Sequence, residues 1–249
     1  MTTNAPLVTI VIPVYNEEAI ITASVLSLVD RLDHFDRRRR REDPPLQSQW
    51  SYHILLAENG STDRTRSIIT ELTERFPTVS ALSVDEPNYG KALRAGILQA
   101  DTQFVICDEI DLCDVGFYKA ALALLEDEEA DLVIGSKRMA GARDERPLLR
   151  RAGTLAITKL LQIGTGFSGS DTHGLKAFRR DKLEAIVEAC VVDRDLFASE
   201  LVIRAERNGV RIREIPIRVL EMRRPSINLS RRIPRALKDL VRLSVAVRR

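Results

Sequence analysis

The chain has 249 residues, 44% of them apolar and 30% charged, with a formal net charge of +2. That length suffices for one large domain with a full core, and the composition is that of a soluble protein. No run approaches the ~18 consecutive apolar residues of a membrane-spanning helix, and Met1–Pro6 lacks the basic and apolar regions of a secretory signal. The three cysteines, Cys107, Cys113 and Cys190, are few and odd in number, which predicts a reducing, cytoplasmic setting and no disulfide framework. Charge is unevenly spread. From Arg218 onward ten arginines and lysines face only Glu221 and Asp239, a net of +8 that leaves −6 on the rest. A basic tail on an acidic body predicts an anionic surface or a phosphate-bearing partner.

In chain order, Leu7–Pro13 is an apolar, β-branched run and reads as a central strand. Val14–Glu18 forms a polar turn into a helix over Glu17–Leu32, with Asn16 as a candidate cap. Arg37–Arg41 and Pro44-Pro45 read as a solvated loop, a lipid or partner contact being the alternative. His53–Ala57 is a second strand, ending in Glu58-Asn59-Gly60-Ser61-Thr62-Asp63. There Gly60 suits a tight turn, and Ser61 or Thr62 can cap a helix over Asp63–Phe76. Val79–Val84 is a third strand. Asn88-Tyr89-Gly90-Lys91 then opens a helix to Ala100, and Lys91 at its start can meet a phosphate or simply be solvated.

The next stretch, Phe104–Asp114, organises the reading: a short buried strand stops at Asp108, Glu109, Asp111 and Asp114. Open α/β sheets bind ligands at the carboxyl ends of their strands. Carboxylates there suit Mg²⁺ or Mn²⁺, which commonly bridge substrate phosphates; a solvated, helix-capping strand end is the alternative. A helix to Glu126 and a strand over Asp131–Gly135 follow, then Ser136-Lys137-Arg138. This alternation predicts an α/β fold with a mostly parallel central sheet and helices on both faces.

The second half changes character. Gly141–Arg151 is polar and arginine-rich, and Ala152–Ile163 is helix-like. Gly164–Gly174 carries four glycines with Ser168, Ser170, Asp171, Thr172 and His173, a loop able to approach a ligand closely. Leu175–Phe178 reads as a strand, Asp181–Ala189 and Phe197–Asn208 as helices, and Arg211–Val219 as one late strand. Ser230–Val247 can form a helix with Ile233, Leu237, Leu240, Val241 and Val247 on one side and arginines on the other. Such a helix can lie on an anionic membrane or dock on the core.

The order IPVYNEE, ENGSTD, NYGKALRAG, the acidic motif, GSKRM, SDTHGLKAFRR, F-x-x-E and EIPI resembles an inverting family-two glycosyltransferase of the GT-A fold. It is most similar to the dolichyl- or polyprenyl-phosphate mannosyltransferase-like branch, over roughly Val8–Ser226. The resemblance implies a single catalytic domain over residues 1–229. Its nucleotide-binding half would span about 1–140 and its acceptor half 141–229, ahead of a basic C-terminal helix over 230–249. It places Pro13, Tyr15, Glu17 and Glu58 at the nucleotide, with Lys91, Asp108 and Glu109 also on the donor side. Glu58-Asn59 stands where the family usually has two aspartates. The family's D-x-D motif matches Glu109-Ile110-Asp111, which makes Glu109 and Asp111 the implied ligands of Mg²⁺ or Mn²⁺. Asp108 serves in a shifted register, and Cys113 stands where a third ligand sometimes occurs. Arg138, Arg151 and Arg224 match phosphate-binding arginines, and arginine's fork engages two phosphate oxygens at once. Ser170 and His173 join them on the acceptor side.

The implied reaction moves a hexose from a nucleoside diphosphate sugar, GDP-mannose or a UDP-hexose, to polyprenyl phosphate with inversion. Asp111 and Arg138 would stand nearest the chemistry. A lipid phosphate is already anionic and needs no base, whereas a saccharide hydroxyl does. Asp171 is the candidate base for that alternative, with His173, unperturbed pKa ~6.5, behind it. A non-catalytic nucleotide-sugar-binding module is the reading of another class. Without transmembrane helices the chain would reach its lipid as a cytoplasmic protein, peripheral on the inner membrane face or through a membrane-bound partner. Nucleic acid is disfavoured: aromatic content is 5% and the basic tail has no aromatic platform.

Overall fold

The computed structural model describes residues 7–39, 51–145, 148–219 and 241–245. Strand β1 (Val8–Val14) pairs in parallel with β2 (Tyr52–Asn59) on one side and β4 (Phe104–Cys107) on the other. Strand β3 (Val79–Val84) extends the sheet beyond β2. Beyond β4, strand β7 (Lys176–Arg179) runs antiparallel between β4 and β5 (Leu132–Ser136). Strand β8 (Ile212–Pro216) closes that edge, parallel to β5. The seven-stranded order is β3-β2-β1-β4-β7-β5-β8.

All seven residues of β1 are buried, as a strand covered on both faces requires. Its alternate residues divide between two cores. Val8, Ile10, Ile12 and Val14 pack with α1 (Ile21–Arg39), α2 (Thr65–Arg75) and α4 (Val115–Glu126). Val11 packs on the opposite face with α3 (Tyr89–Gln99), α6 (Arg180–Ala189) and α7 (Phe197–Arg207). Leu161 of α5 (Leu148–Thr165) joins this second core.

Several expectations are corrected. Helix α1 begins at Ile21 and continues through Arg39, beyond Leu32 and into the arginine run. Arginine is a good helix former, so a charge run that continues an amphipathic pattern extends the helix. The late strand divides into β8 and β9 (Arg218–Val219). The latter pairs with β6 (Arg143–Asp144), a strand inside the polar, arginine-rich stretch. Most of the expected C-terminal helix, and Arg224, lie outside the described residues. Residues 241–245 are helical, but Leu243 is the buried member while Val241 is 64% exposed, so this segment faces the other way from the expected apolar side.

Candidate active site

The parallel strands β1, β2, β4 and β5 all end on one side of the sheet, and the polar turns that follow them meet there. The first two turns brace each other. Asn16, at φ 53°, accepts a bond from the Thr62 N–H, and Ser61 Oγ accepts from the Asn16 N–H at 3.1 Å. Thr65 Oγ1 accepts from the Glu17 N–H at 2.8 Å. Asn16 therefore does not cap α1, and neither Ser61 nor Thr62 caps α2; these side chains tie one turn to the other. Tyr15 is left 41% exposed and Pro13 is buried beside Ala57. Gly60, at φ 71°, passes so close to Glu86 and Pro87 that a Cβ would lie 3.1 Å from their backbone.

Glu58 was expected to read the nucleotide, but it is 3% exposed and already occupied. It accepts from the Ser61 N–H, from Ser83 Oγ at 2.6 Å and from Arg66 Nε at 3.0 Å. Burial alone would raise its pKa; the Ser83 and Ser61 bonds and the Arg66 charge more than offset this and hold it below the ordinary glutamate value. These bonds fix the turn. Lys91, exposed at the start of α3, has its ammonium on Glu86. Asn88 caps α3, accepting from the Lys91 N–H.

At the end of β4 the four acids separate by role. Asp108 is buried. Its Oδ1 accepts from the Glu109 N–H, and its Oδ2 accepts from the Asp114 N–H and the Tyr118 hydroxyl. Burial pushes its pKa up to about 7 against those three hydrogen bonds. Asp108 therefore shapes the turn from inside and is not presented as an alternative ligand. Asp114 caps α4, accepting from the Phe117 N–H at 3.0 Å. Cys113 is buried, with its thiol pointed at the Ile110 carbonyl, which withdraws it from any ligand set. Glu109 and Asp111 remain half-exposed at the strand end. No cluster of three or more His, Cys, Asp or Glu side chains suited to a metal occurs among the described residues. Two carboxylates nonetheless fit Mg²⁺ or Mn²⁺, which take one or two protein carboxylates and complete their shell with substrate phosphates and water.

Across β7, Ser136 ends β5 and Arg138 stands exposed beyond it. The glycine-rich loop lies against them. Arg138 Nη1 donates to the Ser170 carbonyl at 3.2 Å. Asp171, the candidate base, is fully buried; its Oδ1 accepts from the His173 N–H at 2.8 Å and its Oδ2 from the Lys137 N–H at 3.4 Å. It holds the loop to β5 and is not offered to a hydroxyl. His173 is half-buried, with Nδ1 3.1 Å from Thr172 Oγ1. Arg151 is exposed on α5, which is tied to the loop by a bond from Gln162 Nε2 to the Gly169 carbonyl.

Sequence reasoning missed three residues here. Glu214 of β8 accepts from both the backbone and the hydroxyl of Ser170. Lys176, 2% exposed in β7, donates to the Gly174 carbonyl at 2.8 Å. Tyr118 anchors Asp108. Glu214 and Lys176 sit inside EIPI and SDTHGLKAFRR, so the signal was a polar residue interrupting a strand pattern.

A mostly parallel sheet with an acidic turn at β4 and a cationic turn at β5 has the GT-A architecture, and comparison with solved structures agrees on the fold. Glucosyl-3-phosphoglycerate synthase from Mycobacterium tuberculosis, solved with Mn²⁺, UDP and glucosyl-3-phosphoglycerate, superposes with a TM-score of 0.67 at 18% identity. The match covers 97% of this chain and 81% of that one. The Staphylococcus aureus protein TarS, in complex with UDP, gives a TM-score of 0.55 at 16% identity, over 96% and 64% of the two chains. The chain belongs to glycosyl transferase family 2, whose profile matches residues 9–187. A dolichyl-phosphate beta-glucosyltransferase of Trichomonas vaginalis is 26% identical over 251 residues, 97% of this chain and 74% of that protein. A dolichyl-phosphate hexose transferase of Haloferax volcanii is 29% identical over 209 residues, 84% and 80% of the two.

Proposed function

We propose that the protein transfers a hexose, with inversion, from a nucleoside diphosphate sugar to a polyprenyl phosphate. The observation that carries this is the placement, at the same end of the sheet, of the half-exposed Glu109 and Asp111 after β4 and the exposed Arg138 after β5. The carboxylates would hold Mg²⁺ or Mn²⁺, which supplies charge to offset the diphosphate as it departs. Arg138 engages phosphate oxygens through its fork. The burial of Asp171 supports a phosphate acceptor over a saccharide hydroxyl, because an anionic nucleophile needs no base to accept its proton. The names of the relatives, and the UDP bound by the structural neighbours, support a UDP-hexose of the glucose type over GDP-mannose. The purified protein is expected to move labelled glucose from UDP-glucose to polyprenyl phosphate only when Mg²⁺ or Mn²⁺ is added. Free glucose alone, or no turnover with any UDP-hexose or GDP-mannose, would refute the assignment.

A lipid acceptor requires contact with a membrane, and α5 offers a face for it. Thr158, Leu161 and Thr165 turn inward, while Leu160 and Ile163 stand 42% and 82% exposed beside the exposed Lys159. Val241 and Val245 are exposed on the 241–245 segment, whose Ser244 adjoins Gly164 at the end of α5. No helix among the described residues is long and apolar enough to cross a membrane. Apolar side chains beside cations suit the surface of an anionic bilayer. Vesicles containing phosphatidylglycerol are expected to carry the protein upward in flotation, and Leu160→Asp with Ile163→Asp to abolish this while the melting temperature holds. Equal flotation of both proteins would remove the face from the proposal.

A further inference from the structure

The EIPI motif has no role in the reading above, yet its glutamate is the end of a continuous hydrogen-bonded chain to Arg138. Glu214 Oε1 accepts from the Ser170 N–H at 2.7 Å, and Oε2 from the Ser170 hydroxyl. The Ser170 and Ser136 hydroxyl oxygens are 2.7 Å apart, and Ser136 Oγ accepts from the Arg138 N–H at 3.1 Å. Arg138 Nη1 returns to the Ser170 carbonyl at 3.2 Å. Arg138 is thus held at both ends, by its backbone through Ser136 and by its guanidinium through Ser170.

Proton accounting fixes the direction of the chain. An ionised carboxylate only accepts, so the Ser170 hydroxyl must donate to Glu214. Its oxygen is then open to the Ser136 hydroxyl, and the Ser136 oxygen to the Arg138 N–H. Each hydroxyl donates once and accepts once, and the carboxylate sets this order. A Cβ at Gly169 would fall 2.8 Å from Glu214 Oε1 and closer still to the Phe167 ring, so the glycine lets the loop lie near both.

We propose that Glu214 is a positioning residue that orders Ser170 and, through it, sets the pose in which Arg138 receives the acceptor's phosphate. This rests on the function proposed above. An arginine already held in place spends less side-chain entropy on its ligand. A glutamine at 214 has one acceptor oxygen for two donors; its amide donates to Ser170, reverses the chain and leaves the Ser136 O–H without its acceptor. Both Glu214→Gln and Glu214→Ala therefore loosen Arg138.

The test measures transfer while donor and polyprenyl phosphate are varied separately. Glu214→Gln is expected to raise the KM for polyprenyl phosphate roughly tenfold or more, as loss of a supporting partner behind a ligand-binding side chain does elsewhere, with the donor KM within about twofold of wild type. Combined with Arg138→Ala, it is expected to add nothing to the arginine loss, because residues acting as one unit are not additive. Equal effects on both substrates, or full additivity with Arg138→Ala, would mean that Glu214 only supports the fold and would overturn the proposal. A second readout does not depend on the reaction: the Arg138 Nε–Hε NMR signal, identified by its loss in Arg138→Ala, is expected to report an ordered side chain in wild type and a mobile one in Glu214→Gln. If wild type fails to glycosylate polyprenyl phosphate, the function is wrong while this signal still decides the relay; an unchanged signal overturns it.

Discussion

Asp111→Asn is expected to lower turnover about 100- to 1,000-fold and to leave the melting temperature nearly unchanged. The side chain is half-exposed at the tip of β4, and an isosteric change at such a position moves stability by only about ±0.5 kcal/mol. A metal at a developing diphosphate charge stabilises the transition state by several kcal/mol, and each 1.36 kcal/mol is tenfold in rate. Three residues earlier the same substitution is expected to act in the opposite way. Asp108→Asn puts an amide donor against the Glu109 N–H or against the Asp114 N–H and Tyr118 hydroxyl. A buried unsatisfied group costs about 1–3 kcal/mol, roughly 2–10 °C in a chain of this size. Steady-state kinetics beside calorimetry on both variants checks the division. A large drop in melting temperature for Asp111→Asn, or none for Asp108→Asn, would reverse the roles given to these two acids.

Gly174→Ala is expected to cost about 3 kcal/mol or more, at or above the usual range for overpacking. An added Cβ would fall 1.8 Å from the Gly135 carbonyl oxygen and 2.9 Å from its carbon. Both are backbone atoms of β5, so no rotamer relieves the clash. Either the strand end or the loop carrying Asp171 and His173 must move, and activity is expected to fall with stability. Gly166 provides the control. It needs its glycine for a different reason, a φ of 75° with open space around it, so Gly166→Ala carries only the strain of about 1–3 kcal/mol. Urea unfolding of the two variants separates them; equal midpoints would show that the Gly135 approach relaxes freely.

The elements that formed as read are those whose signals are local. Strand β4 is a four-residue apolar run bounded by polar residues, and Asn88 sits where a cap for α3 belongs. The sheet's direction was not legible at β7, because four residues carry no sign of whether their strand runs with or against its neighbours. The sharing of roles among Asp108, Glu109 and Asp111 was equally hidden. It depends on Tyr118, ten residues further on, reaching back to the first of them. The surroundings of Glu58 and Asp171 were hidden for a common reason: a carboxylate beside small polar residues reads as a ligand group, yet the same neighbours supply N–H and hydroxyl donors that bond to it. The separation of the site into an acidic and a cationic turn was legible, since each follows an apolar strand.

The insertion of β7 between β4 and β5 bears on how the chain is made. During synthesis β4 and β5 emerge well before residues 176–179, and the seam between them stays open until those residues arrive. Over that interval each strand presents an unpaired apolar edge, the kind of surface on which nascent chains associate with one another. A protein ending near residue 140 would carry that seam permanently, so the first half of the chain depends on a late segment to cover its strands, and a ribosome stalled before residue 179 holds an aggregation-prone chain.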